Sequence, residues 1–147
     1  MKKLLFSLIL LSMLSLSVNA VTKESMALIL IKTRVSTMFM MQAGFNISSV
    51  VINKANYKEE ISDYRTFSAG TTYKFYGAGS DGILDLDISL VDDDGNIVAA
   101  DTKKDNLPMV TYTPTKTQSL KIKVLPYSVE NSCKYDKNLY SLVIGYK

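Results

Sequence analysis

Beyond Tyr64 the chain alternates. From Ile83 to Val91, Leu84, Leu86, Ile88 and Leu90 fall on one side, and Asp85, Asp87 and Ser89 on the other. That is the period of a strand with one dry and one wet face. The same form recurs. Tyr73 and Phe75 alternate with Thr72 and Lys74, Val110 and Tyr112 with Thr111 and Thr113, and Leu120, Ile122 and Val124 with Lys121 and Lys123. Tyr140, Leu142, Ile144 and Tyr146 mark one face of a last strand. Turn chemistry separates these runs at 77–82, at Asp94-Gly95, read as a type I′ hairpin turn with positive φ at both residues, and at Asn106-Leu107-Pro108. One-sided strands must meet through their dry faces, so short strands at this spacing predict an antiparallel β-sandwich over 64–147.

A different period precedes them. Leu28, Ile31, Val35, Met38 and Phe39 recur at three- and four-residue steps, predicting a helix from about Lys23 to Gln42, with Gly44 placed to end it in a left-handed conformation. Its apolar face is broad enough to need a sheet or another chain against it. Packing on its own domain is the expectation, and Met38, Met40 and Met41 offer the alternative of an adaptable partner surface. Residues 47–52 read as a short strand and 53–60 as an exposed connection, so 21–63 is taken as the helix and its connecting segment.

Residues 1–20 open with Lys2 and Lys3, run through a Leu-rich stretch too short to span a bilayer, and end at Val18-Asn19-Ala20. That is the form of a secretory signal peptide cleaved after Ala20, which predicts a secreted or periplasmic protein without a stable membrane span. Removal leaves 15 basic against 14 acidic side chains on 127 residues, mixed in sequence, with Arg34 and Arg65 the two arginines. This balance points away from nucleic acid.

The ordered segments 84–90, Asp94-Gly95-Asn96, Val98-Ala99-Ala100-Asp101, 108–114 and 139–146, with Phe67 to Phe75 ahead of them, resemble the bacterial pre-peptidase C-terminal domain. The resemblance covers about residues 64–147 and implies a jelly-roll-like sandwich, non-catalytic, in which some members bind calcium or extracellular polymers. Gln118-Ser119-Leu120 stands where the family commonly has a Gly-Tyr pair, and Cys133 has no mate for the paired cysteines of some relatives.

The chain has no His. Histidine triads and His-ligated zinc are thereby excluded, and hydrolysis would need buried carboxylates or a lysine instead. Asp85 and Asp87 share the outward face of one strand, with Asp92, Asp93, Asp94, Asp101 and Asp105 in the following turns. Such hard oxygens could hold Ca²⁺, or could form a solvated acidic face in which Asp85 and Asp87 pair with Lys121 and Lys123 across strands. The run from Asp92 fails as an EF-hand, since Ile97 stands at its sixth position and Lys103 at its twelfth. No catalytic, cofactor or metal residue is assigned. Cys133 lacks a His partner and reads as a passive thiol, and Asn46-Ile47-Ser48 as a chance glycosylation match. Tyr73, Tyr112, Tyr140 and Tyr146 follow the inward alternation, whereas Tyr57, Tyr64, Tyr76, Tyr127 and Tyr135 are candidates for surface contacts. The expected function is an exported, non-catalytic binding or structural accessory module acting through a protein or extracellular polymer, with a calcium-stabilised polymer-binding domain and a hydrolase as alternatives.

Overall fold

The computed structural model describes residues 24–130 and 138–147. A helix, α1, runs through 24–42. It stops where the sequence provides a left-handed residue: Gly44 takes φ +81°, the Phe45 N–H donates to Met40 O, and the Gly44 N–H donates to Met41 O, each at 3.0 Å. These two bonds satisfy carbonyls that the last turn would orphan, and Phe45 folds back onto Met40 to complete the Schellman cap.

Eight strands follow: β1 (Asn46–Lys54), β2 (Ile61–Phe67), β3 (Tyr73–Gly79), β4 (Ile83–Val91), β5 (Ile97–Asp101), β6 (Met109–Tyr112), β7 (Gln118–Val129) and β8 (Leu139–Tyr146). They form two antiparallel four-stranded sheets in the orders β1-β8-β3-β6 and β2-β7-β4-β5. First pairs with last, second with seventh, third with sixth and fourth with fifth. The chain is thus one long hairpin, its tip between β4 and β5, rolled into a jelly-roll sandwich. Alternation puts Phe67, Phe75, Leu86, Ile88, Leu90, Val110, Leu120, Ile122, Val124, Leu142 and Ile144 into the layer between the sheets, all buried. The Phe67 and Tyr73 rings meet edge to face, 4.8 Å between centroids.

The architecture is the predicted one, mainly β with a leading helix, and the differences are local. The strand expected at 47–52 is present as β1, but a further strand, β2, begins within the segment expected to connect helix and sandwich; they are hydrogen-bonded along their length to β8 and β7 respectively. Leu84 does not join the core. It is 49% exposed, because the β4/β7 register slips between Ile83 and Asp85 and again between Asp85 and Leu86. Leu84 is the extra residue on β4 and Tyr127 the extra one on β7, so both are pushed outward while Ile83 and Leu86 remain buried. The β4–β5 turn also departs from type I′. Gly95 alone has positive φ there, the Gly95 N–H donates to Asp92 O, and the Asp92 N–H donates to Asn96 O. That is a three-residue loop with Gly in the left-handed position, matching the register shift at Leu90/Val91.

Candidate functional site

Helix α1 lies on the outer face of the β1-β8-β3-β6 sheet, where Met40 and Phe45 cluster with Val143 and, less deeply, Ile47 and Tyr76. The sheet offers small side chains there, with Ser141 and Ala78 buried and Gly145 so close that a Cβ on it would stand 2.7 Å from the Met40 Cε. Against such a surface a helix must present small residues of its own. It does: the buried stripe is Ile29, Thr33, Ser36 and Met40. The Thr33 and Ser36 hydroxyls are satisfied within the helix, donating to Ile29 O at 2.6 Å and Lys32 O at 2.9 Å. Lys32 fastens the same side, its Nζ donating to Gly79 O at 2.8 Å and lying 3.6 Å from Asp81.

This overturns the expected docking face. Ile31, Val35 and Met38 lie two residues on from Ile29, Thr33 and Ser36, about 200° around the helix, and all three are exposed, with Phe39 60% exposed beside them. Leu30, Met26 and Met41 widen the exposed face. The apolar periodicity was real, but the small residues on the sheet chose the smaller stripe for contact and left the bulky one outside.

The acidic residues separate into three groups. Asp92 is a turn residue whose carboxylate accepts from the Asp94 and Asn96 N–H groups and the Asn96 side chain, which hold it below its ordinary range. Asp93 and Asp94 are exposed around the same turn. The third group gathers where 102–108 crosses the end of β4, with the Leu86 N–H donating to Asp105 O and Asn106 Nδ2 to Ile83 O. There Asp85 is 7% exposed and its Oδ1 has no hydrogen-bond partner; the Asp87 Oδ1 is also buried and unpartnered. Burial pushes both carboxyls above the ordinary range, assisted by Asp105 for Asp85 and by Asp85 and Asp101 for Asp87. The expected pairing with Lys121 and Lys123 does not occur, since those lysines stand opposite Val91 and Ser89 and bind Glu60 instead.

The sandwich also opens along one side, between edge strands β1 and β2. Two cavities of about 240 and 300 Å³ sit there, and Arg65 lines both. Asp63 and Arg65 take inward positions between Ile61 and Phe67, with Arg65 Nε donating to Asp63 at 2.9 Å and Arg65 Nη2 to Ser49 Oγ at 3.2 Å. Inward charges blunt a sheet edge. They also break the binary pattern that would have marked β2 as a strand. Tyr140 lines the first cavity, where burial and the Asp63 charge push its hydroxyl above the ordinary tyrosine range. Tyr73 and Tyr146 line the second, Tyr146 being exposed against its inward alternation; Tyr112 packs on the core, and Tyr76, expected at the surface, lies partly buried beneath α1. Tyr57, Tyr64 and Tyr127 are exposed as expected. The proposed signal peptide, Cys133 and Tyr135 lie outside the described residues.

No family model matches the chain, and what stands of its resemblance to the pre-peptidase C-terminal domain is the sandwich architecture. No curated protein matches either. Among solved structures, PliG of Aeromonas hydrophila, a periplasmic inhibitor of g-type lysozyme, is 11% identical, with 67% of this chain aligned to 85% of it at a TM-score of 0.49. A family 4 carbohydrate-binding module is 14% identical over 71% of this chain and 79% of its own, TM-score 0.45. A family 36 module bound to calcium and xylotriose is 15% identical over 70% and 93%, TM-score 0.39. At these identities the likeness concerns architecture alone. Among the described residues no helix is long and apolar enough to cross a membrane.

Proposed function

We propose that the chain is an exported, non-catalytic binding module that engages a partner protein through the outward face of α1. One observation carries this reading. The helix is anchored to its own sheet by Ile29, Thr33, Ser36 and Met40, while Ile31, Val35, Met38 and Phe39 form a contiguous apolar strip in solvent. Large exposed apolar patches mark contact sites, and a helix fixed on a rigid sandwich presents its anchors at i, i+4 and i+7 without an ordering cost. Methionines at its margin adapt to an imperfect partner surface. Export is read from residues 1–20.

Photo-crosslinking in cells that make the protein tests the reading. A photoreactive phenylalanine analogue at Phe39 should give a discrete adduct that one at exposed Ile97, on the opposite sheet, does not. Introducing Ile31→Glu and Val35→Glu should abolish the adduct without lowering the thermal midpoint. Equal adducts at both positions, or none at Phe39, would defeat the proposal. A second reading, contact with an extracellular polymer, is favoured by the Arg65 cleft between β1 and β2. It predicts polysaccharide binding lost in Arg65→Ala.

A further inference from the structure

We infer that Asp85 and Asp87 form a binding site for a hard divalent cation, with Ca²⁺ the ion it fits best. The two carboxylates project from β4, and the 102–108 connection runs beside that strand, bonded to it through the Leu86 N–H and Asp105 O. Asp85 is more than nine-tenths buried, and its Oδ1, like that of Asp87, accepts no hydrogen bond. A buried carboxylate oxygen without a donor is costly, and a fold tolerates it where something cationic or protic fills the gap. Among the described residues no side chain hydrogen-bonds to either Oδ1, and Lys104 acts on Asp85 only through its charge. Among the described residues the ion pairs are those of Lys32, Arg65, Lys121 and Lys123, and none reaches Asp85 or Asp87.

The surroundings deepen the negative field. Asp101 and Asp105 stand close enough to act on the pair electrostatically, and both oxygens of Asp101 and one of Asp105 accept from the main chain. Asp101 accepts from the Lys103 and Met109 N–H groups, and Asp105 from that of Leu107. These bonds brace the connection where it runs beside β4. Among the described residues no three carboxylates converge on one point, so the ion takes its anionic ligands from Asp85 and Asp87 and the rest of its shell from water. Calcium tolerates such an irregular, solvent-completed shell of oxygens, whereas magnesium demands a near-ideal octahedron. Two carboxylates place the affinity at the weak end of calcium sites, with a dissociation constant on the order of 10⁻⁴ to 10⁻³ M.

The test is equilibrium dialysis of the purified protein against radioactive calcium, paired with thermal melts in chelator, in 10 mM CaCl₂, in 10 mM MgCl₂ and in NaCl of matched ionic strength. One ion per chain should bind, and calcium should raise the folding constant roughly 10- to 100-fold over chelator, with magnesium doing less and NaCl nothing. Asp85→Asn and Asp87→Asn should fold, since each keeps its shape and loses a charge, and should lose both the bound ion and the calcium response. Should either variant fail to fold, the wild-type dialysis and melts decide alone. No retained calcium, a midpoint indifferent to chelator, or a response that matched NaCl or the two variants reproduce would overturn the site.

Discussion

Met38 and Met40 allow the docking of α1 to be tested with one substitution made twice. They are two residues apart on the same helix, so Met→Ala changes intrinsic helix propensity equally at each. Their surroundings differ sharply, since Met40 is 1% exposed and Met38 50%. Fully burying a methionine side chain is worth roughly 1.5 to 3 kcal/mol, so the difference in burial alone gives the Met40 site about 1 kcal/mol more. Truncating Met40 also leaves a void among Phe45, Val143 and the backbone at Gly145. With that cavity the expected loss is about 2 to 4 kcal/mol for Met40→Ala, against less than about 0.5 kcal/mol for Met38→Ala. Urea unfolding followed by circular dichroism measures both, and hydrogen exchange of the α1 amides shows whether the helix alone has loosened. Equal losses, or a larger one at Met38, would mean that the helix packs by its bulky stripe and that the exposed face assigned to partner contact is wrong.

Two further outcomes follow from the same contacts. Gly145→Ala should cost about 1 to 3 kcal/mol, because the new Cβ would meet the Met40 Cε at 2.7 Å, the Asn46 carbonyl at 3.1 Å and the Phe45 Cβ at 3.2 Å. Combined with Met40→Ala the loss should be less than additive in a double-mutant cycle, and strict additivity would show that the two do not share the space. Glu60 is held below its ordinary 4.5 by hydrogen bonds from Lys123 and Lys121. A depressed folded-state pKa adds stability above the unfolded carboxylate range that is lost as pH falls through the folded value. Glu60→Gln should therefore lower stability at pH 7 by roughly 0.2 to 1 kcal/mol, given the exposure of the pair, and change it little at pH 3. A difference independent of pH would exclude the ion-pair origin.

Most of the sandwich was legible because alternation is a local property. A residue's face in a strand depends on its parity, so Leu86, Ile88, Leu90, Ile122 and Ile144 could be sent inward from their spacing alone. Parity fails where the register slips. Leu84 and Tyr127 face outward because two opposed bulges offset β4 and β7, and neither strand's own pattern carries that information. The β2 strand was hidden for a related reason, since Asp63 and Arg65 occupy inward positions that a dry face would give to apolar residues. The candidate cation site shows the same division. That Asp85 and Asp87 share a face was visible in their spacing, but not that the Asp105 connection bonds alongside β4 while the Oδ1 of each stays unpartnered.

The sequence by itself settled the periods, and with them an all-β layered body, a leading helix and the glycine that ends it. Period is set by backbone geometry, which each residue meets regardless of what lies across the core. The tertiary structure decided which strands lie side by side, and which stripe of α1 is covered. The rolled hairpin brings Ala78, Ser141 and Gly145 together under the helix from two different strands. Only a narrow stripe approaches so flat a surface closely, and dispersion contact falls steeply with any gap. Thr33 and Ser36 therefore went in, and Ile31, Val35 and Met38 stayed out.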